Sequence, residues 1–193
     1  MIKKLIKRLI QLWRHFKFRN KAIIHPTAVI HAEAKILNPQ LDKEKIRIGA
    51  YSNIRGELFI YGHGGEISIG DYCYIGEGTR IWSSGRITIG DKVLIAHNVN
   101  VHDSNSHPTN SIERHKHFLE ITQSNHPKQL SLNEKAVLIE NDAWIGFNVT
   151  ILKGVRIGKN AIVAACSLVT KNVDDYTVVG GNSAKVIKQL DSK

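Results

Sequence analysis

Residues 139–169 read IENDAW IGFNVT ILKGVR IGKNAI VAACSL V, and each group of six opens on an aliphatic: Ile139, Ile145, Ile151, Ile157, Val163, Val169. A six-residue period fits neither a helix nor an ordinary strand. It is the hexapeptide signature of a parallel β-helix, in which a short strand and its turn make one side of each coil. Four places after each aliphatic stands a small or β-branched residue: Ala143, Val149, Val155, Ala161, Ser167, Val173. The aliphatic points inward and the small residue fits the narrow interior. Gly146, Gly158 and Ala164, directly after an aliphatic, are expected to permit the tight corner.

The frame continues upstream in triplets: Ile24, Ile30, Ile36; Ile48, Ile54, Ile60; Ile69, Ile75, Ile81; Ile89, Ile95, Val101. Three units per group predict a three-sided prism. The spacing stretches only between triplets, so every insertion should leave from one corner and the extra loops should stack along one edge. The expected architecture is all-β: a left-handed parallel β-helix of hexapeptide repeats over residues 22–190, a short N-terminal α-helix over 1–21, and one long loop insertion over 102–138.

With 193 residues the chain suits one domain. Its two cysteines give no disulfide framework and read as packed thiols of a reducing compartment. No apolar run is long enough to cross a bilayer. Charge is uneven. Residues 1–21 hold eight Lys/Arg and no acid, whereas the remainder holds 19 basic and 17 acidic residues. In that segment Ile2, Leu5, Ile6, Leu9, Leu12, Trp13 and Phe16 recur at helical spacing, which reads as a basic amphipathic helix and not as a secretory signal. Two roles stay open for it. It caps the first coil or packs on a neighbouring subunit, or it attaches to an anionic membrane surface. The expected location is the cytoplasm, peripheral at the inner face of the cytoplasmic membrane if the helix binds lipid. The basic charge is not spread over a face and no recognition motif appears, so nucleic acid is not an expected partner.

The insertion holds His102, Asp103, Ser104, Asn105, Ser106, His107 and Pro108, then His115, His117 and His126. Histidine is the natural general base near neutral pH. Pro108 restricts the backbone after His107, and Asp103 is placed to orient an imidazole and stabilise its cation. His115, His117 and His126 are expected to be solvent-exposed loop side chains.

The repeats, Ser106-His107-Pro108, the run Asn141-Asp142-Ala143-Trp144-Ile145-Gly146 and the ending Ser167-Leu168-Val169-Thr170-Lys171 resemble the hexapeptide acyltransferases. The likeness is greatest to galactoside and maltose O-acetyltransferases and to acetyltransferases of bacterial capsule and lipopolysaccharide assembly. It implies a left-handed β-helix, a homotrimer, acetyl-CoA as donor and no metal. By position, His107 matches the catalytic base and Trp144 the aromatic beside the donor. Phe147 and Ala165 match main-chain contacts to the pantetheine arm. Thr170 and Lys171 match the stretch at the CoA tail, and Lys185 and Lys188 the basic positions near the nucleotide phosphates. Ser183 stands where the pattern has proline. Gly76-Glu77-Gly78 lacks the sugar-binding Asn of the galactoside enzymes, which argues against free galactosides or maltose as acceptors.

The expected reaction is direct transfer of acetyl to a sugar hydroxyl of a bacterial surface polysaccharide (capsule, O-antigen or exopolysaccharide). His107 removes the hydroxyl proton and a main-chain N–H steadies the oxyanion. Neither cysteine is placed as a nucleophile, and no Gly-x-Ser-x-Gly elbow is present. Two other readings share the fold. His97 and His102 have the spacing of two zinc ligands in the γ-class carbonic anhydrases, with His63 as the near third candidate. A non-catalytic trimeric scaffold is the other.

Overall fold

The computed structural model describes residues 2–123 and 130–191. The six-residue units fold as short strands that stack into three parallel faces. The first face runs Ile23–Ile24, Ile46–Ile48, Ile67–Ile69, Ile87–Ile89, Val137–Ile139, Arg156–Ile157. The second runs Val29–Ile30, Asn53–Ile54, Tyr74–Ile75, Leu94–Ile95, Trp144–Ile145, Ile162–Val163, Thr177–Gly180, Lys185–Gln189. The third runs Lys35–Leu37, Glu57–Ile60, Arg80–Ser83, Asn100–His102, Thr150–Ile151, Leu168–Val169. The described strands pair parallel except for the last of the second face, where Lys185–Gln189 folds back antiparallel on Thr177–Gly180.

Register is what makes the core. Ile48, Ile69, Ile89, Ile139 and Ile157 pair one above the next, as do Ile54, Ile75, Ile95, Ile145 and Val163 on the second face. These side chains are all buried and form one aliphatic column. Burying each contributes about 1.5–3 kcal/mol. The long connections run from the third face to the first, so the insertions do share one corner.

The repeat frame needs one correction. Leu58, not Ile60, takes the register position between Ile36 and Ile81. The turn after Ile54 is two residues shorter than its neighbours. Both Leu58 and Ile60 are buried in the four-residue strand Glu57–Ile60, so burial alone did not distinguish them.

The corners differ from expectation in a second way. The left-handed backbone position is mostly not glycine: it falls on Tyr51, Tyr72, Lys92, Asp142 and Asn160 at one corner and on Asn98, Asn148 and Cys166 at the next. The glycine after the aliphatic is needed for closeness instead. A Cβ on Gly76 would stand 2.4 Å from the carbonyl oxygen of Ala96 in the next coil. At the first corner carboxylate and amide side chains also tie coils together: Asp71 accepts from Ala50 N, Asp91 from Asp71 N, and Asn141 from Asp91 N.

The N-terminal helix α1 (Ile2–Phe18) closes the first coil. Phe18 and Ala22 join the core. Gln11 gives its amide N–H to the carbonyl of Ile30 and accepts the N–H of the same residue, standing in for the strand missing at that edge.

A left-handed conformation costs a non-glycine residue about 1–2 kcal/mol, of which glycine's greater chain entropy returns about 0.5–1 kcal/mol. Lys92 is exposed and has φ 56°. Lys92→Gly should therefore raise the melting temperature slightly, read by circular dichroism, while Val93→Gly in the adjacent core position should lower it.

Candidate active site

The insertion rises on a short stem. Asn105 N donates to the Leu132 carbonyl and Lys135 N to the Asp103 carbonyl, so the two ends of the loop are clamped together. Above the stem Asn110 caps helix α2 (Ser111–Gln123), its Oδ1 accepting from the N–H groups of Ile112 and Glu113. The helix was not foreseen from sequence. Its one signal was that capping asparagine, and its apolar periodicity is weak.

The stem corrects the role expected of Asp103. Its carboxylate is fully buried and its described partners lie on the preceding coil. It accepts from Ser83 Oγ at 2.6 Å and from the N–H groups of Ser84 and Gly85 at 2.9 Å each. These donors satisfy a buried charge, as burial requires. Asp103 therefore joins the preceding coil's corner to the base of the stem. Its described hydrogen bonds are to that corner and not to the His107 imidazole.

The partner of His107 is His117. The two Nδ1 atoms lie 3.2 Å apart, with the rings edge to face. His107 is exposed, whereas His117 is 3% exposed, which overturns the expectation of a solvated loop histidine. When His107 Nδ1–H donates to His117, Nε2 of His107 keeps its lone pair, the form a general base needs. Nearby, Ser106 hydrogen-bonds the buried phenol of Tyr61, whose pKa is pushed up mainly by burial. That contact fixes the turn immediately before His107. The cleft beside His107 is lined by Asn105, Thr109, Glu113, Ser131 and Asn133, a set rich in hydrogen-bonding groups. His115 is exposed and stacks on Phe118. His126 lies outside the described residues.

The expected donor-binding residues are spread over the second face, the corner beyond it and the end of the third face. Trp144 and Phe147 are both about half exposed. Trp144 pairs in register with Leu94 and Ile162, and the Phe147 carbonyl accepts from Cys166 N beside Ala165. Gly146 lets this layer close, since a Cβ there would stand 2.6 Å from Ala165 N. Lys185 and Lys188 are exposed on the antiparallel strand. Thr170 and Lys171 are exposed just beyond the third face, and the bond from Ala184 N to the Leu168 carbonyl, 2.7 Å, brings the two basic stretches toward each other. His107 leaves on the insertion at the third-to-first corner, opposite the second face that carries Trp144.

Of the two cysteines expected to be packed thiols, only one is buried. Cys73 is buried and its thiol is pushed up to about 11, mainly by burial. Cys166 is exposed, and its one described side-chain partner is the Asn148 amide. Among the described residues no three His, Cys, Asp or Glu side chains are grouped to hold a metal ion. His102 packs on Trp82 and its imidazole is pushed below its ordinary value, mainly by burial.

Comparison with known proteins bears on the repeat and the fold. The family model described as bacterial transferase hexapeptide (six repeats) matches residues 136–171. A protein of Saccharomyces cerevisiae that carries an acetyltransferase name is 34% identical over 135 residues, 70% of this chain and 62% of its own length. The galactoside O-acetyltransferase of Escherichia coli is 31% identical over 133 residues, 69% of this chain and 59% of the enzyme. The chain thus spans less than two thirds of either relative. The solved structure of AntD, an N-acyltransferase from Bacillus cereus in complex with dTDP and 3-hydroxybutyryl-CoA, superposes with a TM-score of 0.67 over 93% of this chain and 88% of that one, at 19% identity. This likeness concerns the fold, the left-handed parallel β-helix. Over residues 136–171 the chain thus carries the repeat of the bacterial hexapeptide transferases, and its coil and relatives are those of the same kind of protein.

Proposed function

We propose that this protein is an acetyl-CoA-dependent O-acetyltransferase that modifies a sugar hydroxyl of a bacterial surface polysaccharide, acting as a homotrimer. The observation that carries the reading is the His107–His117 pair. It is an exposed imidazole whose inner nitrogen is held by a buried partner, beside a cleft of hydroxyl, amide and carboxylate groups. That cleft suits a hydroxyl-rich acceptor. His107 Nε2 takes the acceptor proton as its oxygen attacks the thioester carbonyl, and the thiolate of CoA leaves. Transfer is direct in this reading, without an acyl-enzyme.

The donor strip supports CoA. Two half-exposed aromatics, Trp144 and Phe147, offer flat apolar surface to a pantetheine arm. Lys171, Lys185 and Lys188 offer cations to its phosphates. The places of these parts support a homotrimer. In a three-sided prism a loop at one corner is remote from the opposite face, so His107 of one subunit is best placed to meet Trp144 of the next. Ile112 and Phe118 on α2 are exposed in the single chain, as residues at a subunit contact would be. Light scattering at micromolar concentration should give three times the chain mass, and a monomer would sink this arrangement.

His107→Ala should lower acetyl transfer by about 10²–10⁴-fold with CoA binding unchanged by calorimetry. Retention of more than about a tenth of the rate would remove His107 from the mechanism.

His117 should act by positioning. His117→Ala is expected to lower kcat about tenfold, the lower end of what losing a histidine-orienting partner costs, with the KM for acetyl-CoA unchanged. His117→Asn, whose carbonyl oxygen can accept from His107 Nδ1–H, should recover much of that loss. NMR of the ring nitrogens should show one His107 tautomer in the wild type and a mixture in His117→Ala.

A further inference from the structure

Helix α1 has two faces with different work. Arg14 donates to the Ile30 carbonyl at 2.8 Å, His15 Nε2 meets the Ala28 carbonyl at 3.0 Å, and Gln11 completes the same strand edge. Phe18, one turn on, is buried in the core. Residues 11, 14, 15 and 18 lie on one side of a helix. The apolar residues lie on the other. Leu5, Leu9, Leu12, Trp13 and Phe16 are each between 56% and 62% exposed, so the helix docks on the coil through its polar side and turns its apolar stripe outward. Capping therefore leaves that stripe uncovered.

Charge identifies what covers it. Residues 1–21 carry eight Lys/Arg and no acid. Arg19 lies 3.7 Å from the Phe16 ring and Lys17 5.7 Å from the Trp13 ring, so cations border the stripe directly. Beside it a groove between helix and first coil is lined by Phe16, Ile23 and Ile24 together with His15, Arg19 and Lys43. An apolar floor rimmed by cations matches the chemistry of an anionic phospholipid, acyl chain below and phosphate above. A second copy of the helix would cover the apolar stripe but would bring eight further cations against the first eight, without acids between them. Among the described residues no helix is long and apolar enough to cross a membrane.

We infer that α1 lies flat on an anionic phospholipid bilayer, with its apolar stripe among the headgroups and acyl chains and its polar side still closing the coil. The inference does not depend on the catalytic reading. The test is co-flotation of the full-length protein with phosphatidylglycerol-containing vesicles and with pure phosphatidylcholine vesicles. The double variant Leu9→Glu, Trp13→Glu changes the stripe but no residue that holds the helix to the coil. The wild type should float with the anionic vesicles at low salt, be released at high salt, and bind neutral vesicles at least about tenfold more weakly. The variant should lose at least about tenfold in anionic binding, with melting temperature and assembly mass unchanged. Absence of wild-type binding at low salt overturns the inference. So does equal binding by the variant, or dissociation of the variant into smaller assemblies, which would assign the stripe to a subunit contact.

Discussion

Hydrogen bonding between successive coils constrains everything else in this molecule. Each strand is only two to five residues long and would not persist alone. It persists because its N–H and C=O groups meet those of the coils above and below, in an unbroken register of like side chains. A register of that kind tolerates no extra residue within a side. Surplus sequence must leave at a corner, and here it leaves at the corner between the third face and the first. The insertion that carries His107 stands where it does because the aliphatic column allows no other exit.

The column also explains which features could be read from sequence. The repeat was legible because the same demand, a buried aliphatic beside a small residue, recurs at Ile139, Ile145, Ile151 and onward. The reading slipped at Leu58 and Ile60, where one strand buries both and a shortened turn moves the frame by two. Periodicity reports burial and is silent on turn length. Glycine was likewise seen but misread. At Gly76 the next coil's carbonyl leaves no room for a Cβ, and spacing along one chain cannot show a clash with another coil.

The site was legible in proportion to how far the repeat fixes it. Trp144, Phe147 and Ala165 occupy repeat positions, so their places on the second face and at the corner beyond it follow from counting. His107 was recognisable by its neighbours Ser106 and Pro108. Its partner was not. His117 lies ten residues away on a helix whose orientation is set by the stem and by Asn110, and no period relates it to His107. Asp103 was close to His107 in sequence and looked like its partner for that reason. The three donors from Ser83, Ser84 and Gly85 belong to the preceding coil, and only the stacking reveals them.

The division between coil and appendages is also a division of physical roles. Coil residues answer to their neighbours above and below, so their chemistry is repetitive and rigid. A rigid face suits a donor whose long, extended arm can lie along it. The insertion and α1 answer to no register. They carry the polar cleft beside His107 and the cationic, apolar edge at the first coil. Their attachments are few and specific: Asp103 at the base of the stem, Gln11 and Arg14 at the edge of the first coil. Each ties an irregular element to the prism through backbone groups that the repeat leaves unsatisfied. The same open hydrogen bonds that a solenoid must close at its ends and corners thus become the points where its functional parts are anchored.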